Sequence, residues 1–463
     1  MTIRFWLYGN SGTLELNSGA IVLAANGYTP KTGDGDTITE SANVIISGAT
    51  FAAIAETVRK IGQFMDAAAL WQKNKDRNRY YVGFTPVTGT ITEYLSELVA
   101  GRVVLDNSSL ITSANGLKAN AQIVFVRRNW WEENTAIGNP LMLSKTGGAS
   151  WSGSASGSVV MNNYYVEASR STSGSKNYAY ADFGIGIMSG SYFDTPAPVA
   201  ISLSAPSSGS PARYFISLQN PANESSAYPY HWLTAVSGSA TIPASGSVVV
   251  DTTASSGSYI AQPLSSTDLA MVTASIGINT TNQFGGQFAS LIMRTVGVVG
   301  TGVWVKPSLL NANMTIWEGD WSLLQAGHEL HEIGIVQLPP GLYATFGSLQ
   351  LKLTGKNTSG SARQLNMDYI QMTPLSGYRK LVMVPSGSAL SGDNVIDDSH
   401  MGYTAVLNGA AYRVNFVAYG EPIMLSPSRL NIFTVLCELS DGTAPIDLTH
   451  TFQVNYWPRK LVL

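Results

Sequence analysis

Ser47–Asn74 reads SGATFAAIAETVRKIGQFMDAAALWQKN. Ile54, Val58, Ile61, Met65, Ala68 and Trp71 recur at steps of three and four, which is one face of an amphipathic helix. Glu56, Arg59, Lys60, Gln63, Asp66 and Gln72 fall on the opposite face. Ser47 or Thr50 suits the N-cap, and Lys73, Lys75 and Arg77 put positive charge where the helix dipole is negative. The spacing predicts a helix over 49–73. It is the one long helical period in the chain, and short β-type runs stand on both sides of it. The plain reading is a helix that closes a β-sandwich with its apolar face. The sharper one is a helix that packs against a partner subunit.

Working outward, IRFWLYGNSGTLELNSGAIVLA (3–24) reads as strands broken at Gly9-Asn10 and Ser18-Gly19, and TITESANVIIS (37–47) is a strand leading into the helix. After the helix come RNRYYVGFTPV, GRVVLDNSSL and NAQIVFVRRNWWEEN. Strands, one helix and more strands predict a β-sandwich assembly domain over 1–135. Residues 136–176 are rich in Gly and Ser and read as a linker or long loop. Evenly spaced short strands then predict a large antiparallel jelly-roll or sandwich module over 177–384. A short β segment, 385–463, remains, expected to pack on the N-terminal domain or on a neighbour. The fold class is mainly β.

The chain has 463 residues, too many for one ordinary domain. Only 12% are charged and the net charge is −3, which disfavours electrostatic binding to nucleic acid. Hydrophobic residues make up 44%, enough to build cores and too many for disorder. No apolar run is long enough to cross a bilayer, and MTIRFWLYGN lacks the cationic start and apolar core of a secretory signal. Cys437 is the only cysteine; within FTVLCEL it reads as a small buried hydrophobe.

Four sets of residues carry candidate chemistry. GHELHEIG (327–334) looks most like a site, but its histidines, His328 and His331, stand three apart rather than in the spacing of a helical zinc motif. On a strand they face opposite ways and cannot share a metal without a bend. In TIWEGDWSLL, Trp317 and Trp321 are candidates for a sugar-stacking platform, with Glu318 and Asp320 accepting from hydroxyls. Core or interface filling is the competing role for both rings. Trp130 and Trp131, with Trp71 on the helix, are candidate assembly contacts. Asp34 and Asp36, and Asp393, Asp397 and Asp398, are candidate Ca²⁺ ligands in loops, although neither set follows the spaced EF-hand pattern. No catalytic residues are nominated: no phosphate loop, nucleophile elbow or carboxylate pair stands out, and no cofactor is required.

The layout resembles tail or baseplate proteins of long-tailed bacteriophages, of the distal-tail type. The residues that carry the likeness are the helix within the first sandwich, RYYVGF, VRRNWWEE, and the late GEPIMLSPSRLNIFTVLCEL before VNYWPRKLVL. PAPVAISLSA, ARYFISLQN and MDYIQMTPLSGYRKLVMV resemble the carbohydrate-binding-like jelly rolls found in such proteins. The resemblance implies a non-enzymatic virion protein, assembled in a bacterial cytoplasm into a homo-oligomeric ring with other virion proteins. It also implies an outer module that can touch host glycans. A capsid decoration or neck protein and a monomeric carbohydrate-binding protein are the alternatives.

Overall fold

The computed structural model describes residues 3–461 except 11, 26, 34, 75–78, 86–92, 114–115, 134–140, 144–158, 162–178, 183–194, 205, 207–208, 221–239, 256, 277–286, 312–313, 339–348, 384–392, 401, 409–410, 415, 428–429 and 449. The protein is mainly β, with one α-helix among the described residues and antiparallel strand pairing throughout. The chain divides into two compact units. One comprises 1–141, 191–197 and 457–463; the other comprises 142–190 and 198–456.

The first unit is organised around the expected helix, Phe51–Asn74. Thr50 caps it, accepting through Oγ1 from Ala53 N at 3.2 Å. Ile54, Ile61, Met65, Ala68 and Trp71 are buried, and Val58 packs on the same core. The sheet beneath follows the order Gly12–Glu15, Arg4–Gly9, Tyr81–Thr85, Tyr94–Leu105, Gly116–Arg128, Thr37–Gly48, Ile21–Leu23. In Gly116–Arg128 the alternate residues Ala119, Ala121, Ile123 and Phe125 point into the core. Gly101, opposite Phe125, leaves room for the helix: a Cβ there would lie 2.4 Å from Met65 Sδ and 2.9 Å from Val124 O.

The same alternation takes Arg127 inside, where it forms a fully buried pair with Glu40 at 2.8 Å. Tyr28 Oη donates to Glu40 Oε2 at 2.8 Å, and Arg127 Nη2 donates to Lys31 O at 2.9 Å, so the pair also ties down the turn-rich loop. The unit is closed by the last strand of the chain. Arg459 and Lys460 pair with Glu132 and Trp131, and Arg459 Nε donates to Glu132 Oε1 at 2.8 Å.

The second unit is a stack of four sheets. The first contains Ala197–Ser204, Asn394–Asp398, Tyr403–Asn408 and His450–Tyr456. The second runs Ala179–Asp182, Leu430–Leu439, Pro211–Gln219, Tyr378–Met383, Phe416–Tyr419. Rings from both meet in a flanking sandwich: Phe433 lies 5.4 Å from Phe452, and Tyr214 lies 5.9 Å from His450. The third sheet runs Ser247–Val250, Ser258–Leu264, Arg363–Pro374, Phe288–Thr295, Leu330–Gln337. The fourth runs Ala240–Thr241, Leu269–Ile276, Leu349–Asn357, Val303–Asn311, Met314–Glu318. These last two enclose one apolar core that includes Met271, Leu291, Met293, Val305, Leu309, Leu351 and Ile370, and so form an inserted sandwich.

The second sheet is covered on both faces. Its Phe215, Tyr378 and Leu436 join Ile292, Leu330 and Tyr369 of the third sheet in a separate apolar cluster. That double cover explains why NIFTVLCEL (431–439) is buried at every position instead of alternating. Cys437 is fully buried within it, and burial pushes its thiol well above the usual range.

The domain boundaries differ from the expected ones. Residues 385–463 are not a separate segment: Asn394–Asp398 and His450–Tyr456 flank Ala197–Ser204, and Leu430–Leu439 pairs with Pro211–Gln219. Only 457–463 return to the first unit. Within the expected linker 136–176, Leu141–Leu143 and Val159–Met161 are strands paired with His450–Tyr456; its remaining residues lie outside the described ones. Strand partners drawn from opposite ends of the chain override the local Gly/Ser signal. The inserted sandwich therefore interrupts the flanking one, which itself interrupts the first unit.

Candidate functional site

The fourth sheet of the stack offers the most site-like surface. On Val303–Asn311, Val305 and Leu309 point into the core, so Trp304 and Lys306 lie on the far face. Register sets Trp304 opposite Lys356, Lys306 opposite Thr354, and Ser308 opposite both Lys352 and Glu318. Trp304 Nε1 donates to Thr358 Oγ1 at 3.1 Å, which fixes its indole. Trp321 lies in the same group: the Lys356 ammonium is 3.8 Å from its ring centre and that of Lys306 is 5.2 Å away. Lys306 Nζ donates to Glu318 Oε1 at 2.5 Å, and this bond holds the Glu318 carboxyl below its usual pKa. Asp268 lies 3.8 Å from Lys356.

The expected platform is thus only partly assembled. Trp321 and Glu318 share the lysine-bearing face. Trp317 does not: it is paired with Leu309 and packs on the inserted sandwich's core, so the two indoles do not form one stacking surface. Asp320 is exposed beside them. Trp304 is a member of this face that sequence reasoning missed, although the alternation in GVWVKPSLL, with Trp304 and Lys306 two apart, was a signal that could have found it. The arrangement brings two part-exposed indoles, ammonium groups and an exposed carboxylate together on one face.

The assembly candidates fare differently. Trp71 and Trp131 are corrected to core residues. Trp131 is 0% exposed beneath the Arg127 guanidinium, 4.3 Å from its ring centre, and Trp71 is 3% exposed on the inner face of the helix. Both rings bury their apolar area within the unit itself, which leaves almost no face for a partner. Trp130 alone of the three stays part-exposed, with Arg459 4.1 Å and Arg128 5.8 Å from its ring.

GHELHEIG belongs to a junction and not to a metal centre. His328 Nδ1 lies 2.8 Å from Glu438 Oε1, whereas His331 is buried on the other side of the strand. Glu438 is held by Arg213 through two bonds of 2.6 Å and accepts from Leu330 N at 3.1 Å. Glu329 accepts from Ala444 N at 2.7 Å, while Arg294 Nε donates to Ala444 O at 2.9 Å. Both sets of bonds join the inserted sandwich to the flanking one.

Of the candidate Ca²⁺ ligands, Asp34 lies outside the described residues. Asp397 is not in a loop: it sits on Asn394–Asp398 and takes two bonds from Arg379, at 2.8 and 2.9 Å. Among the described residues no group of three or more His, Cys, Asp or Glu side chains converges as a metal site. No described helix is long and apolar enough to cross a membrane. Comparison of the sequence with protein-family models gives no match, and neither does comparison with curated proteins.

Proposed function

We propose that the protein is a non-enzymatic structural subunit of a virion, a tail or baseplate component of the distal-tail type, which oligomerises and works with other virion proteins. One observation carries this reading. The chain is nested twice, and each return is fixed by buried polar bonds: Arg459 to Glu132 in the first unit, and Arg213 to Glu438 in the second. Such anchoring suits a part that must hold a module in a set place. A capsid decoration or neck role fits the same construction.

The lysine–tryptophan face of the inserted sandwich favours a second, compatible reading, in which this module contacts host surface glycans. On its own, that face would equally serve a monomeric carbohydrate-binding protein.

The solution mass of the purified full chain separates these readings. Light scattering with negative-stain imaging should find closed assemblies of several copies. A chain that stays at 49.3 kDa across the accessible concentration range would remove the support for a self-assembling ring.

A further inference from the structure

Strand Leu330–Gln337 is the edge of the third sheet, where its described strand partner is Phe288–Thr295. One of its faces grips the flanking sandwich. Leu330 joins the apolar cluster between the sandwiches, and Leu330 N and O bond Glu438 and Arg213. Glu332 accepts from Tyr378 Oη at 2.5 Å and from Lys380. Just before it, Glu329 N donates to Gly442 O at 2.9 Å. The other face is different in kind. His331 lies opposite Met293 and is followed on that face by Ile333, both part of the apolar core. The imidazole is 3% exposed, and neither ring nitrogen makes a hydrogen bond of good geometry.

The groups around it do little for a proton. The backbone of His328 favours one, and it is the weakest of the influences on the ring. Arg213 and the His328 side chain are the groups whose fields reach it, and both oppose a positive charge on the ring. The carboxylates on its own and the neighbouring elements are engaged elsewhere. Glu438 is held by Arg213, Glu329 by Ala444 and Gly297, Glu332 by Tyr378 and Lys380, and Asp368 by Arg294 and Ser255. A buried imidazole so placed adds almost nothing polar to the fold, and a leucine would fill the space more cheaply.

We propose that His331 makes strand Leu330–Gln337 an acid-released latch: the imidazole accepts a proton only by leaving the interior, and the strand that carries it then lets go of the flanking sandwich. Burial, reinforced by Arg213 and His328, lowers the pKa of His331 from 6.5 to about 3. The folded pKa is depressed, so the latch holds fully above pH ~6.5 and weakens progressively as the pH falls towards ~3. Between those limits the opened strand binds a proton that the closed strand does not. At pH 5 this favours opening by roughly 30-fold relative to pH 7.5.

Hydrogen exchange read by mass spectrometry on the full chain at pH 7.5 and 5.0, corrected for intrinsic exchange rates, tests the latch. Wild type should lose roughly 30-fold protection at 328–337 and at 439–444. His331→Leu should keep its protection within about threefold, and His331→Met serves the same purpose if leucine prevents folding. His450→Leu controls for another buried histidine, whose pKa burial lowers to about 4, and it should leave the wild-type response at 328–337 intact. Unchanged protection in wild type, or an equal loss in the His331 variants, would overturn the proposal.

Discussion

Replacing Glu438 with alanine should lower the stability of the second unit by about 3–5 kcal/mol. The side chain is fully buried on Leu430–Leu439, between the flanking and inserted sandwiches. It holds Arg213 through both carboxylate oxygens, accepts from Leu330 N, and faces His328 Nδ1. Alanine would strand a guanidinium that is only 12% exposed and leave a buried amide without its acceptor. The cost is the desolvation of those orphaned groups more than the lost attraction. Glu438→Gln keeps the shape and one acceptor, so it should fall between alanine and wild type. Urea unfolding followed by tryptophan fluorescence measures the difference. A loss below about 1 kcal/mol for alanine would mean that the junction is wetter than its geometry implies.

The second large effect is expected at Gly101. A Cβ there would fall within 2.9 Å of the Val124 carbonyl oxygen, which is backbone, and 2.4 Å from Met65 Sδ. Methionine can swing aside, but Gly116–Arg128, which carries Val124, cannot shift without breaking its register with Tyr94–Leu105. Gly101→Val should therefore push the helix off its sheet and destabilise the first unit by about 3 kcal/mol. Gly62 makes the contrast, because it lies mid-helix and a Cβ added there would meet nothing within 4 Å. Gly62→Ala should stabilise by about 0.5–1 kcal/mol through helix propensity alone. Thermal unfolding of both variants by circular dichroism near 222 nm checks the sign of each. Equal behaviour of the two would show that the helix does not seat on Gly101.

The helix was legible because burial repeats along it every three or four residues, and Ile54, Ile61, Met65, Ala68 and Trp71 are the buried positions. The mainly-β class was legible for a similar reason, since short alternating runs need no partner to be recognised. Partner choice was not legible. Leu430–Leu439 lies beside Pro211–Gln219, and no local pattern reports a pairing across more than two hundred residues. One signal was present and unread: in NIFTVLCEL the apolar residues Ile432, Phe433, Val435, Leu436, Cys437 and Leu439 fall on both faces instead of alternating, which marks a strand covered on both sides.

In the candidate site, composition pointed to the right neighbourhood and the wrong pair. Trp317 and Trp321 are four apart, but the strand that carries Trp317 ends at Glu318, so the two rings do not share its alternation: Trp317 packs on the core and Trp321 lies by the lysines. A histidine-rich string likewise looks the same whether it binds metal or closes a junction. Only the positions of Glu438 and Ala444 decide between those, and they come from another part of the chain.

If the first unit has the assembly role proposed above, it should self-associate without the nested sandwiches. The most direct measurement is the solution mass of that unit alone, made by joining residues 1–141, 191–197 and 457–463 through short Gly/Ser linkers. The expected result is a folded protein, with the helix visible by circular dichroism, that forms closed assemblies of several copies. A folded unit that remains monomeric at every concentration would contradict it.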